Sequence, residues 1–165
     1  MRFGFWPNPR SDYDATKTLA LHAEATGWDG LWLADHFLPD ENTLIPIHEC
    51  WMTMAALARD VPRLRLGTLV CGNTYRHPAV LANMVATLDH ISGGRIVLGL
   101  GSGWQQNEHL AYGIEFGTVG DRLKKLNEAC QVIKGLFYND HFDFDGVYYQ
   151  VKNAPMEPKP KQHKL

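Results

Sequence analysis

The stretch Pro78-Ala79-Val80-Leu81-Ala82-Asn83-Met84-Val85-Ala86-Thr87-Leu88, followed by Arg95-Ile96-Val97-Leu98-Gly99-Leu100 and then Gly101-Ser102-Gly103-Trp104, decides the fold. Pro78 suits the first position of a helix, where its missing N–H leaves no bond unmade, and Val80, Leu81, Met84, Val85 and Leu88 recur at helical spacing. The short apolar run from Arg95 to Leu100 then reads as a strand, and it ends in a glycine-rich loop. Helix, strand and loop in that order form one repeat of an α/β chain.

The same repeat extends outward in both directions. Apolar β-forming runs occupy Arg2 to Trp6, Gly30 to Ala34 and Leu64 to Val70. Helical periodicity predicts helices from Asp14 to Ala25, stopping at Gly27, from His48 to Arg59, closed by Pro62, and from Gly120 to Leu136, with Leu123, Leu126, Ala129, Cys130 and Ile133 on one side. Strand, loop and helix recurring about every 30 residues imply parallel strands joined by crossovers, and the near-continuous apolar runs suit a sheet covered on both faces. The fold class is therefore α/β. Beyond the last helix, Phe142-Asp143-Phe144 and Val147-Tyr148-Tyr149 flank Asp145-Gly146, which predicts a hairpin turning at that dipeptide. Residues 1–150 read as one domain and residues 151–165 as a Pro/Lys-rich tail or linker.

Composition narrows the function. The 165 residues are 45% hydrophobic and 21% charged, an ordinary globular balance, yet the chain is well short of the about 250 residues of a complete eight-fold barrel. A formal net charge of −2 provides no positive field for nucleic acid or an anionic membrane surface, so a small-molecule substrate is the expected partner. The basic residues Lys159, Lys161 and Lys164 sit among prolines and read as a solvated segment. No run of about 18 apolar residues occurs, and Met1 leads directly into Arg2-Phe3-Gly4, which predicts a cytoplasmic protein. Cys50, Cys71 and Cys130 are odd in number and lack paired spacing, so reduced thiols and no metal site are expected, with Cys71 at a strand end the one placed to face a site.

In parallel α/β sheets ligands bind at the carboxyl ends of the strands, which here are Trp6-Pro7, Asp35-His36, Val70 to Asn73 and Gly101 to Trp104. Asp35-His36 joins a carboxylate to an imidazole, a pair able to hold a proton acceptor near neutral pH; a turn cap at Asp35 and a backbone hydrogen bond from His36 explain the same residues equally well. Gln106 and Trp104 stand where a dinucleotide fingerprint requires glycine, and neither a phosphate loop, a His-Glu-x-x-His helix nor a Gly-x-Ser-x-Gly elbow is present. The glycine-rich loop therefore reads either as a tight turn or as a surface on which a flat ring system lies close to the backbone.

Taken together, Ala34-Asp35-His36-Phe37, Leu66-Gly67-Thr68, Arg76-His77-Pro78, Leu88-Asp89-His90-Ile91-Ser92-Gly93-Gly94-Arg95, Leu98 to Trp104 and Asn107-Glu108-His109 resemble the bacterial luciferase-like flavin-dependent oxidoreductases, and most of all their coenzyme F420-dependent class. The resemblance implies that the chain is the N-terminal half of a (β/α)8 TIM barrel, a (β/α)4 unit that either belongs to something longer or self-associates as a homo-oligomer to cover its open edges. It implies His36 as the proton-transferring catalytic residue, Asp35 as its acidic neighbour, and a non-prolyl cis peptide at Leu69-Val70 behind the cofactor ring. Gly101, Ser102, Gly103 and Asn107 would lie near the cofactor, with Trp6 and Trp104 lining its surface. Trp104 stands where sugar-phosphate dehydrogenases of the family have an acid, so a sugar phosphate is not the expected substrate. The implied reaction is hydride transfer between F420 and a small organic molecule. The alternatives are an FMN-dependent monooxygenase and a self-associating half-barrel without catalysis.

Overall fold

Parallel pairing carries the architecture of the chain, whose computed structural model describes residues 1–40 and 44–165. In chain order the elements are β1 (Gly4–Phe5), α1 (Tyr13–Ala25), β2 (Gly30–Leu33), α2 (Cys50–Asp60), β3 (Arg65–Thr68), β4 (Cys71–Gly72), α3 (Pro78–Ser92), β5 (Ile96–Val97), β6 (Leu100–Gly101), α4 (Gln106–Tyr112), α5 (Val119–Tyr138), β7 (His141–Asp145) and β8 (Gln150–Pro155). One parallel sheet runs in the order β1-β2-β3-β5, a second pairs β4 with β6, and β7 and β8 form an antiparallel hairpin. The α/β half-barrel with a C-terminal hairpin is the fold that the sequence predicted.

The register puts Leu31 beside Leu66 and Leu66 beside Ile96, all buried, on the face that α2 and α3 cover. The opposite face carries Gly4, Trp32 and Gly67. Trp32 lies flat across the two glycines: a Cβ on Gly67 would stand 2.4 Å from Trp32 Cζ3, and one on Gly4 would stand 2.2 Å from its Nε1. Helices thus cover one face of the sheet, and on the other the Trp32 indole lies against β1 and β3.

Three sequence expectations are corrected. The runs Leu64 to Val70 and Arg95 to Leu100 are not single strands: each breaks, into β3 and β4 and into β5 and β6. The Leu69–Val70 peptide at the first break is cis, as the resemblance implied. Hydrogen bonds from the Thr68 hydroxyl to the Gly99 carbonyl (2.7 Å) and from the Cys71 amide to the same carbonyl (2.7 Å) carry the pairing across both breaks. The hairpin turn is not Asp145-Gly146 but the longer loop 146–149 between β7 and β8. Its cause is tertiary, because the Glu128 carboxylate on α5 accepts the amides of Val147, Tyr148 and Tyr149. Finally, α2 starts at Cys50 rather than His48, because the Glu49 side chain accepts the Met52 amide and caps the helix there.

The C-terminal segment folds back onto the helices. Lys159 Nζ donates to the Leu136 and Asn139 carbonyls at the end of α5, while Gln162 gives its amide and its side-chain NH₂ to the fully buried Asp89 carboxylate. Lys161 and Lys164 remain exposed, and Lys159 is the one basic side chain of the three that the fold uses. Among the described residues, no helix is long and apolar enough to cross a membrane.

Candidate active site

The carboxyl ends of the strands converge on a cavity of about 370 Å³. Trp6 follows β1, Asp35 and His36 follow β2, Leu69 and Val70 join β3 to β4, and Gly103 and Trp104 follow β6; all of these line it. Trp6, Leu69, Val70 and Trp104 are each between 42% and 61% exposed, so the chain presents four apolar surfaces to one space. An exposed apolar patch at a strand-end pocket marks a binding surface. Gly101, Ser102 and Asn107 do not line the cavity. Gly101 backs it instead, packed so close to Val70 that a Cβ would stand 2.6 Å from Val70 Cγ2. Asn107 reaches across to the Pro39 and Asp40 carbonyls and ties down the rim after His36. Gly103 has φ +81 and leaves no space for a Cβ beside Thr74, which accounts for glycine at that position.

Asp35 forms the floor and is 1% exposed. Its carboxylate accepts two hydrogen bonds from Arg76, at 2.6 and 3.0 Å, and one from the Gly72 amide. Arg76 in turn donates to Glu49 at 2.8 Å. Although burial lowers it, the Arg76 guanidinium is pushed up overall by its hydrogen bonds to and charge contact with Asp35. Asp35 therefore anchors the loop after β2 to the loop after β4. It does not touch His36 directly.

The partner of His36 is Glu108. His36 Nδ1 lies 2.7 Å from Glu108 Oε1, and the ring sits edge-on to Trp104 with centroids 5.6 Å apart. Tyr75 donates its hydroxyl to the same carboxylate oxygen, while Oε2 accepts the amides of Phe37 (2.7 Å) and Leu38 (3.2 Å). Burial pushes the Glu108 carboxyl up, but the hydrogen bonds from His36, Tyr75 and Phe37 outweigh it and hold the group below the ordinary range. Tyr75 is pushed well above the usual phenol range, first by burial and then by Glu108, so it stays protonated and donates. Cys71 also lines the cavity, and burial, then the Asp35 charge, push its thiol well above the ordinary range.

The sequence singled out Asp35 and His36 and passed over Glu108, Tyr75 and Arg76 as site residues. Glu108 lies on α4, an element that the hydrophobic pattern did not predict, because the buried residues of α4 are Glu108 and His109 while Leu110 and Tyr112 face outward. A short helix that buries its polar side has no apolar periodicity to read. The one available signal was adjacency, since Glu108 stands inside the Asn107-Glu108-His109 motif.

The family model described as luciferase-like monooxygenase matches residues 1–164. The chain belongs to the luciferase-like monooxygenase family. An F420-dependent glucose-6-phosphate dehydrogenase of Amycolatopsis mediterranei is 37% identical over 146 residues, which is 87% of this chain and 43% of that protein. Among solved structures, an F420-dependent secondary alcohol dehydrogenase in complex with an F420-acetone adduct superposes with a TM-score of 0.89 at 26% identity, covering 98% of this chain and 49% of the other. The monooxygenase RslO1 of Streptomyces bottropensis shares the fold, with a TM-score of 0.85 at 23% identity over 99% of this chain and 51% of its own. The chain thus spans about half the length of the luciferase-like proteins it matches, and within that half it follows their backbone closely.

Proposed function

We propose that the chain supplies one half of the mouth of an F420-dependent oxidoreductase acting on a small organic alcohol or carbonyl compound. The observation that carries this reading is the convergence of Trp6, Leu69, Val70 and Trp104 on the space beside His36, a set of flat apolar surfaces with one proton-handling group among them. Such a surface fits a planar ring system. It is supported by the F420 dependence named for both the 37% identical relative and the 26% identical structure. F420, when bound, supplies two-electron hydride exchange.

The chain's own residues then handle the proton. Oxidation of an alcohol to a carbonyl also releases a proton from oxygen, which His36 would take and, in the reverse direction, return. The imidazolium so formed faces the Glu108 carboxylate, 2.7 Å from Nδ1, which offsets its charge. Leu69, Val70 and Trp104 present apolar surface to that side of the cavity, from which a bound ring would displace water. Trp104 supplies no carboxyl group, so an acid at that position plays no part, and a sugar phosphate is not the proposed substrate.

Residues 1–150 supply the half-barrel and 151–165 a tail, in a cytoplasmic setting that suits three unpaired thiols. β1 and β5 are the free edges of the parallel sheet, and we place a second copy of the chain across them, giving a homo-oligomer. Titration with F420 and separately with FMN, following cofactor fluorescence alongside mass in solution, tests all of this. Saturable F420 binding by a dimer or larger assembly is the expected result. Preference for FMN would move the protein to the monooxygenase reading, and binding of neither would leave a half-barrel without catalysis.

A further inference from the structure

We propose that Glu108 is the positioning residue that fixes His36 as its Nδ1–H tautomer, leaving Nε2 as the free acceptor at the cavity. This rests on the reading of His36 as the proton-transferring group, and it adds a residue that neither the sequence motif nor the fold assigns to the chemistry.

The inference follows from counting donors around one carboxylate. Glu108 is 0% exposed, so its partners are sought within the protein. Its Oε1 faces His36 Nδ1 and the Tyr75 hydroxyl, and its Oε2 faces the Phe37 and Leu38 amides. An ionised carboxylate offers about four acceptor positions and no donor. Both amides are donors by necessity, and the Tyr75 hydroxyl has no other hydrogen-bond partner among the described residues. A carboxylate with nothing to donate can meet Nδ1 only if Nδ1 carries the hydrogen. In a neutral imidazole the other nitrogen is then the acceptor, and His36 Nε2 has no hydrogen-bond partner among the described residues. The two amides belong to the residues directly after His36, so the same carboxylate also fixes the backbone that presents the ring. Trp104, edge-on to the ring, limits its rotation.

Glu108→Gln makes the inference testable without cofactor. The two backbone amides at Oε2 require an acceptor, so the glutamine oxygen must take that side and its NH₂ must face His36. Nδ1 then has to accept, and the ring must change to the Nε2–H form. The experiment is a long-range ¹⁵N–¹H correlation spectrum of the full chain labelled at histidine nitrogens, recorded at alkaline pH, where histidine rings are neutral, with His36 assigned by its loss in His36→Gln. The wild type is expected to show predominantly Nδ1–H and Glu108→Gln predominantly Nε2–H. Tyr75→Phe, which removes a second donor and leaves the carboxylate, is expected to keep Nδ1–H. An Nε2–H ring in the wild type overturns the inference even if Glu108→Gln does not fold, as does an unchanged tautomer in a folded Glu108→Gln. No ligand enters these spectra. Failure to bind F420 therefore counts against the proposed function alone, and a wrong tautomer counts against Glu108 alone.

Discussion

Removing Arg76 and Asp35 together should destabilise the protein clearly less than the sum of the two single losses. Asp35 is 1% exposed and its carboxylate has three hydrogen bonds, two of them from Arg76. Arg76→Met keeps an aliphatic stem against Trp51, whose ring lies 5.9 Å from the guanidinium, but leaves Asp35 with the Gly72 amide alone. A buried charge stripped of its partner costs about 3–5 kcal/mol. Asp35→Asn leaves Arg76 paired with the partly exposed Glu49 and should cost about 1–3 kcal/mol. In the double variant no unpaired buried charge remains, so its loss should fall short of the sum by about 2 kcal/mol or more. Urea unfolding followed by far-ultraviolet circular dichroism reads all four proteins. With a slope of about 2 kcal/mol per molar, Arg76→Met should move the midpoint down by about 1.5–2.5 M. If the two single losses add to within about 0.5 kcal/mol, the residues are uncoupled and the floor of the site is not held as described.

His36→Ala should lower turnover about 10²–10⁴-fold while F420 still binds, and an unchanged rate removes His36 from the mechanism. Gly67→Ala pushes a Cβ to 2.4 Å from Trp32 and 2.7 Å from the Val97 carbonyl, and overpacking of that kind should cost about 1–3 kcal/mol with a changed near-ultraviolet tryptophan signal; a wild-type melt would show the indole to be free to move. Gln162→Ala leaves the buried Asp89 carboxylate without its NH₂ donor and should cost about 1–3 kcal/mol in thermal unfolding, whereas a loss under about 0.5 kcal/mol would mean that the tail is not docked through it. Glu128 is held below the ordinary carboxylate range because, although burial raises it, the Tyr148, Val147 and Tyr149 amides outweigh that effect. The unfolded chain then binds more protons, so this stability is present above the usual glutamate value of about 4.3 and is lost as pH falls through the lower folded value. Glu128→Gln should flatten that acid limb, and an unaltered pH profile would exclude the hairpin contact as its source.

The elements that could be read from sequence are those whose own pattern decides them. Pro78 opens α3, with buried Leu81, Val85 and Leu88 at helical intervals, and Thr118 with Asp121 closes a capping box at the start of α5, one residue outside the predicted range. His36 was legible because a strand end in a parallel sheet is a defined place. What could not be read depended on residues far away in sequence. The breaks after Thr68 and Val97 are organised by the Gly99 carbonyl, which is bonded from the other strand. The hairpin turn is set by Glu128, roughly 20 residues upstream, against a local Asp-Gly preference. Glu108 and His36 are 72 residues apart, and nothing in the composition around either one indicates the other.

The placement of that last pair has a consequence for how the chemistry is divided. Among the described residues, His36 is oriented by Glu108 and Trp104 from the segment after β6, with Tyr75 from the loop after β4 and the Phe37 and Leu38 amides from the loop after β2 sharing the Glu108 carboxylate. Gln105, itself buried, donates to the Leu38 carbonyl and Asn107 to those of Pro39 and Asp40, so α4 is fastened to the rim loop beside the carboxylate it presents. On the proposed reading of His36, its orientation is therefore set within this half of the barrel. The apolar surfaces beside it, by contrast, remain open and about half exposed. On that reading, completion of the mouth would act on cofactor affinity and on exclusion of water, with the orientation of His36 already in place. Variants at Trp6 or Val70 should accordingly change F420 affinity and leave the His36 tautomer untouched, whereas Glu108→Gln should do the reverse; if both properties move together in either variant, the two halves of the site are not independent.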